Sequence, residues 1–376
     1  MYTRRHSIWP TLPPNVYLKR STNWRPFPLD QTRCRIFSLA RHAILNASKA
    51  LHLGKGDVIL VPAYHHGSEV EALMQAGLQV IYYEVNDELE PDSKELQTLL
   101  SPNVKALYII HYLGFPQKAS FWRQWCDERG LLLFEDAAQA FLAHHNGQPV
   151  GSFGHVGVFC LYKTYGIPDG GALISTIPPA APQQNSGKGW WKVFKRHVNW
   201  IAARRGEIGA IHLLVKPIVS SFKRMTEHTH KEFEVGNPST SPSTMTIRLL
   251  PKLLNKSTAD RRRENYEFLL SHLGDMVPYP FSTLPEGACP FAFPVEVADA
   301  KEFLNRLHSR GVVGLLFWLN PHPSLLVADF PKSRDLREKM LALPVHQELT
   351  KADLKQIVKA VQECRIDSTA RVATFS

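Results

Sequence analysis

The sequence predicts an α/β chain: a mostly parallel sheet flanked by helices, followed by a smaller C-terminal α+β unit. Three observations predict it. Between about residues 35 and 176, short apolar runs alternate with amphipathic stretches at helical spacing. The run Leu131-Leu132-Leu133-Phe134 is apolar throughout, as expected of a strand covered on both faces. From about residue 255 the rhythm changes to longer helices separated by isolated strands.

The elements follow in order. Ser38 to Leu51 has helical spacing, and Lys55-Gly56-Asp57 turns the chain into the strand Val58 to Val61, which Pro62 stops. Ser68 to Ala76 is helical and Val80 to Tyr83 extended. Ala106 to Ile110 is the next strand, Ala119 to Arg129 a helix closed by Gly130, and Leu131 to Phe134 a buried strand. Val156 to Leu161 and Ala172 to Ser175 complete the series. The Pro-rich stretch 177–187 and the polar stretch 236–243 are linkers around a basic, Trp-rich segment. Beyond them, Ala259 to Leu273 and Ala298 to Arg310 are helices, Phe291 to Val297 and Val312 to Trp318 strands. Thr350, with Asp353 three residues on, opens a last helix. The division expected is 1–176, 177–245 and 246–376.

With 376 residues there is room for two domains and a sizeable core. No apolar run approaches the 18 or so residues of a membrane span. The basic start Met1 to His6 leads into Pro10, Pro13 and Pro14 rather than an apolar stretch, unlike a secretory signal. Cys34, Cys126, Cys160, Cys289 and Cys364 are dispersed without metal-ligand spacing, which suits free thiols in a cytoplasmic protein without a metal site. The net charge of +10 is uneven: Lys188 to Glu232 holds ten Lys/Arg against three Glu, a net +7. Such asymmetry favours an anionic partner or a solvated helical face, and no nucleic-acid-binding motif accompanies it.

The chemistry concentrates in two places. Asp136 lies in Phe134-Glu135-Asp136-Ala137-Ala138-Gln139-Ala140, just after a buried strand, where ligands of parallel sheets bind. Lys163 lies in Leu161-Tyr162-Lys163-Thr164-Tyr165, seven residues before Gly170-Gly171. Taken singly, Lys163 is an ordinary surface lysine and Asp136 a helix-capping acid. Together they are the two groups pyridoxal phosphate most needs: a carboxylate for the pyridinium nitrogen and an amine for the aldehyde. Gln139, three residues after Asp136, shares its side of a helical turn and can reach the ring hydroxyl.

The stretch from Ser38 to Gly171 resembles the DegT/DnrJ/EryC1/StrS sugar aminotransferases. The resemblance is carried by Leu53 to Pro62, Ala72 to Val85, His111-Tyr112-Leu113-Gly114, Phe134 to Ala140 and Val150 to Gly157, with Leu341-Ala342-Leu343-Pro344-Val345-His346 at the far end. It implies the fold-type-I transferase architecture, a homodimer, and pyridoxal 5'-phosphate as cofactor. It also implies an amino-acid donor, glutamate, and a nucleotide-linked keto sugar as acceptor, in polysaccharide or antibiotic sugar biosynthesis. By resemblance Lys163 holds the cofactor aldehyde, Asp136 faces N1 and Gln139 contacts O3′. The ring-covering aromatic position falls on His66, with Tyr64 nearby. The phosphate-binding Gly-Thr pair falls on Ala40 and Arg41, and Cys160 stands where a serine donor is expected. Pro242-Ser243-Thr244 precedes Met245 in place of the Asn-x-Arg-Met element that reaches the neighbouring subunit.

In the basic segment, Trp190, Phe194, Val198 and Ile201 fall at helical spacing among Lys192, Lys195, Arg196, Arg204 and Arg205. Packing within the protein or across a dimer is the favoured reading over a helix lying on an anionic membrane. Leu213, Leu214, Ile218, Val219 and Phe222 suggest a second helix bent at Pro217. The alternatives to the aminotransferase are a sugar dehydratase, whose relatives lose the lysine, and a non-catalytic member that uses the fold for binding.

Overall fold

The structure, a computed structural model, describes residues 4–204 and 233–373. The second helix expected around Pro217 lies outside them.

Seven strands form the central sheet: β1 (Arg35–Phe37), β2 (Val58–Pro62), β3 (Gln79–Tyr83), β4 (Val104–Ile110), β5 (Leu132–Ala137), β6 (Val156–Cys160) and β7 (Gly171–Ser175). Their order is β1-β7-β6-β5-β4-β2-β3. The five strands from β6 to β3 are parallel, and β7 runs antiparallel to both of its neighbours. Every residue of β2 and β6 is buried, which the unbroken apolar runs of a two-faced sheet require. Helices α1 (Ala40–Ala50), α2 (Ser68–Gln75), α3 (Ser93–Leu99) and α4 (Ala119–Asp127) connect the strands. The architecture expected from the sequence is the one found.

Two boundaries differ in a way that matters. The strand expected through Leu161 ends at Cys160, and Leu161–Thr164 forms a single helical turn, α5. The Leu161 N–H still donates to the Gly170 carbonyl at 2.9 Å as a last rung of the ladder, while the Leu161 carbonyl accepts the Tyr165 N–H at 2.9 Å and closes the turn. The strand expected over Val312 to Trp318 divides into Val312–Val313 and Leu315–Leu316, because Gly314 packs against the Ala342 carbonyl where a Cβ would collide.

The basic segment forms α6 (Trp190–Ala203), and its buried face is the expected one only at Val198 and, in part, Ile201. Trp190 and Phe194 are exposed, whereas Val193, Val198, Ala202 and Ala203 are buried. The N-terminal segment sets the orientation. The Leu12 carbonyl pairs with His197 Nδ1 at 2.7 Å, and the Tyr17 hydroxyl with His197 Nε2 at 2.9 Å. Arg196 and His197 therefore lie on the inward side.

Beyond it run α7 (Thr244–Leu253), α8 (Thr258–Leu273), β8 (Ala292–Glu296), α9 (Ala300–Ser309), β9 (Leu315–Leu316), α10 (Pro331–Lys339), β10 (Met340–Pro344) and α11 (Lys351–Ala373). The three strands make an antiparallel sheet of order β8-β10-β9. Thr350 and Asp353 cap α11 reciprocally: each backbone N–H donates to the other's side-chain oxygen, at 2.8 and 3.3 Å. No helix among the described residues is long and apolar enough to cross a membrane.

Two buried polar networks pin the site's surroundings. His111 Nδ1 accepts the Gln117 N–H, so Nε2 carries the proton and donates to Glu135 at 3.0 Å. Glu135 also accepts the N–H groups of Gly151 and Gly154, fixing that loop beneath β5. Arg337 of α10, 2% exposed, donates to the carbonyls of Ala63 at 2.6 Å and His65 at 3.0 Å, and to that of Trp318. It thereby ties the loop after β2 to the C-terminal half.

Candidate active site

Asp136 is the penultimate residue of β5, flanked in register by Ile110 of β4 and Val158 of β6. Both carboxylate oxygens are held: Oδ2 accepts the Tyr108 hydroxyl at 2.7 Å and Oδ1 the Ala138 N–H at 2.8 Å. The side chain is buried, with no ion pair among the described residues. Burial pushes its pKa up, as does the Glu69 carboxylate, while Lys163, Tyr108 and the Ala138 N–H pull the other way. The positive end of Lys163 thus acts on Asp136 across the site without closing a salt bridge.

Lys163 sits on α5 and is half-buried. Its ammonium lies 5.8 Å from the centre of the Phe291 ring. Gly114 makes that ring available. The segment carrying Phe291 crosses so close that a Cβ at Gly114 would strike the Cys289 carbonyl, and the Phe291 N–H donates to Leu113 at 2.7 Å. The C-terminal end of α5 is held from the other side by Arg262 of α8, which is 1% exposed. Its Nη2 donates to the carbonyls of Lys163 at 3.3 Å and Thr164 at 3.1 Å, its Nη1 to Pro290 at 2.9 Å, and its Nε to Gln347 at 2.9 Å.

Gln139 is buried, and its Oε1 accepts the Leu113 N–H at 2.7 Å. That bond orients the amide and leaves its NH2 without a hydrogen bond among the described residues. His66 follows β2 and packs edge to face on Phe233 at 6.0 Å, its N–H given to Glu69 Oε1 at 2.9 Å. Ala40 and Arg41 open α1, whose first N–H groups have no partner within the helix. Gly171 faces them: a Cβ there would strike Leu39 and the Ala40 nitrogen, so only glycine lets β7 lie against this helix end. Arg41 donates from Nη1 to the Glu234 carbonyl at 2.9 Å. Cys160, opposite Gly171 in the β6–β7 register, is buried, and burial raises its thiol pKa. Ser243 has other work. Its N–H and hydroxyl both donate to Asp169 Oδ1 at 3.0 Å.

The sequence reading missed Glu69, Tyr108, Arg262 and Phe291. Glu69 alone had a local signal: a glutamate three residues after His66 at the start of an amphipathic run. Burial raises its pKa, but His66, His65 and two backbone N–H groups outweigh that and hold it below the usual value. The other three residues meet the site only through tertiary packing.

Two buried histidines make the fold acid-sensitive. Burial and Arg337 lower His65 to about 3, and burial and Arg262 lower His346 to about 3. An unfolded histidine titrates near 6.5, so their neutral-state stability is full above that pH and is lost as pH falls from there towards 3. Each histidine contributes a slope of about 1.4 kcal/mol per pH unit within that window. Differential scanning fluorimetry from pH 7.5 to 4.5 is expected to show Tm falling below pH 6.5, less steeply in His346→Asn. Parallel curves for the two proteins would remove His346 from this account.

Residues 34–183 match the DegT/DnrJ/EryC1/StrS aminotransferase family. The match covers the large-sheet segment and makes that part of the chain similar to the family. All six residues expected to bind cofactor fall inside the family segment, whereas Arg196, Arg262 and Phe291 lie beyond it. The chain is 28% identical over 177 residues to a UDP-N-acetyl-3-dehydro-alpha-D-glucosamine 3-aminotransferase from Acidithiobacillus ferrooxidans, covering 46% of this chain and 48% of that one. It thus matches about half the length of that relative. Over 345 residues it is 25% identical to dTDP-4-dehydro-2,3,6-trideoxy-D-glucose 4-aminotransferase from Saccharopolyspora spinosa, with 85% and 81% coverage. Among solved structures, the aminotransferase TlmJ from Streptoalloteichus hindustanus superposes with a TM-score of 0.68 at 20% identity, covering 97% of this chain and 100% of that one. At that identity the likeness shows the fold alone, an α/β architecture with a mostly parallel sheet flanked by helices.

Proposed function

We propose that this chain is a pyridoxal 5'-phosphate-dependent aminotransferase that moves an amino group from an amino acid, glutamate, to the keto group of a nucleotide-linked sugar. The observation that carries the reading is the buried Asp136 carboxylate, fixed by two hydrogen bonds and lacking a cation of its own, with the Lys163 amine acting on it from across the site. Aminotransferases of this family work with pyridoxal phosphate. The donor set here suits it. A protonated ring nitrogen beside Asp136 would provide the missing positive charge and relieve the cost of burying the carboxylate.

When bound, the cofactor supplies an electron-withdrawing ring that eases loss of a proton from the carbon bearing the amine. The chain's own residues do the rest. Asp136 keeps its charge against the ring nitrogen, and Tyr108 and Ala138 keep Asp136 in place. The free NH2 of Gln139 would donate to the ring hydroxyl, and His66 would cover one ring face. Lys163 would hold the cofactor at its aldehyde, and its freed amine would serve as the general base and acid that moves the proton. The Arg262 fork on the Lys163 and Thr164 carbonyls holds the turn from which that amine swings.

The same reading places the protein in the cytoplasm as a homodimer. It assigns the cofactor to residues 1–176, with 177–245 as the basic helical insert and 246–376 as the smaller unit. The relatives' names support a nucleotide-linked sugar as acceptor. Borohydride reduction of the protein incubated with cofactor, followed by peptide mapping, is expected to fix one cofactor on Lys163. A label on any other lysine, or none, sinks the assignment. Formation of 2-oxoglutarate from glutamate in the presence of a nucleotide keto sugar tests the reaction itself, and deoxygenation without amine transfer would mark a dehydratase.

A further inference from the structure

We propose that Arg196, carried on α6, provides the counter-charge for the cofactor's phosphate in this enzyme, filling the place that Ala40 and Cys160 leave without side-chain donors. The inference rests on the aminotransferase reading and adds to it a binding residue from outside the family segment.

A relay of aromatic rings locates Arg196. Its guanidinium carbon lies 5.6 Å from the centre of the Trp9 ring. Trp9 in turn lies 6.3 Å from the Tyr162 ring and 5.8 Å from the Phe291 ring, and Phe291 carries the Lys163 ammonium at 5.8 Å. Arg196 and Lys163 thus flank one aromatic cluster, with Tyr162 beside both. The Tyr162 hydroxyl lies close enough to Cys160 for each to shift the other's ionisation, and Cys160 stands opposite Gly171, where a Cβ would strike Leu39 and the Ala40 nitrogen at the start of α1. Helix end, Cys160, Tyr162 and Arg196 therefore bound one small region next to the lysine. Arg41 acts on the same pair of side chains electrostatically.

The electrostatics call for an anion there. Arg196 is half-buried and makes no side-chain hydrogen bond or ion pair among the described residues; its one close polar neighbourhood is Tyr162 and Cys160. Burial lowers its pKa to about 10, the mark of a cation taken from water without a counter-ion. The Cys160 thiol cannot serve, because burial holds it protonated. A phosphate dianion is what a planar guanidinium beside free helix N–H groups recognises. The inward placement of Arg196, rather than of Trp190 and Phe194, then has a chemical purpose.

Two phosphates are available to such a guanidinium: the cofactor's and the diphosphate of a nucleotide sugar. The test separates them. Wild type and Arg196→Gln are titrated with pyridoxal 5'-phosphate and, separately, with pyridoxal, which lacks the phosphate, reading the borohydride-trapped fraction at each concentration. The substitution is expected to weaken capture of the phosphorylated form about 10- to 100-fold and leave pyridoxal capture unchanged. Equal effects on both, or none on either, overturn the proposal. So does unchanged cofactor capture with a raised KM for the nucleotide sugar, which would assign Arg196 to the substrate. Arg196→Lys, which keeps the charge and the stem, is expected to recover part of the phosphate selectivity should Arg196→Gln fold poorly. A wild type that traps no cofactor on Lys163 takes down the aminotransferase reading as well; a wild type that traps it normally while Arg196→Gln behaves identically takes down this inference alone.

Discussion

Lys163→Ala is expected to lose amine transfer by about 10²- to 10⁴-fold from the proton-shuttle role alone, and to lose all borohydride-stable labelling. Among the described residues, no other amine is placed to act on Asp136: Lys163 is the lysine that bears on its charge state. The variant should fold normally, because the side chain is half-buried and its one ring contact is a loose 5.8 Å. Single-turnover conversion of glutamate to 2-oxoglutarate, measured on protein saturated with cofactor, is the readout. Added methylamine is expected to restore a fraction of the rate by replacing the missing base. Activity within tenfold of wild type would show that another group moves the proton.

Arg262→Leu is expected to cost about 3–5 kcal/mol of stability, the range found when one partner of a buried charged network is removed. The guanidinium satisfies three carbonyls and the Gln347 amide oxygen with no solvent to replace it. Leucine fills part of the volume but leaves those acceptors stranded. Urea denaturation of the apo protein gives the number. Cofactor capture is a second readout, expected to slow because α5 would lose the clamp at its C-terminus. Arg262→Lys keeps the charge but not the fork, and is expected to recover less than half of the loss. A midpoint unchanged to within the error of the fit would mean that Gln347, which also donates to Thr164 at 2.9 Å, suffices.

Much of the large sheet was legible in the sequence because its strands are buried on both faces, so each appears as an unbroken apolar run closed by Pro or Gly. Asp136 and Gln139 were legible for the same reason: they follow such a run within a few residues, and local geometry sets their relation. Lys163 was legible as a residue but not as a position. Leu161 looks like the end of a strand, and its N–H does bond to the Gly170 carbonyl as one, but its carbonyl accepts the Tyr165 N–H and starts a helical turn. Trp9, Arg262, Phe291 and Gln347 come to the lysine from distant parts of the chain, and no periodicity announces them. Only Trp190 and Phe194 of the basic helix depart from the expected inward set, because aromatic side chains outweigh alanine and valine on any apolar count. The inward face is set instead by His197, which donates from Nδ1 to the Leu12 carbonyl and accepts from the Tyr17 hydroxyl, bonds that hydropathy does not register.

The Arg337 anchor has a consequence for how the chain can move. One guanidinium holds Ala63 and His65 on one side and Trp318 on the other. A hinge that swung the C-terminal strands away from the loop bearing His66 would strip at least one of those carbonyls in a region closed to water. This edge of the fold is therefore bolted like a door jamb, and any motion that a bound ligand demands should fall on side chains or on other edges rather than on a slow opening of this wall.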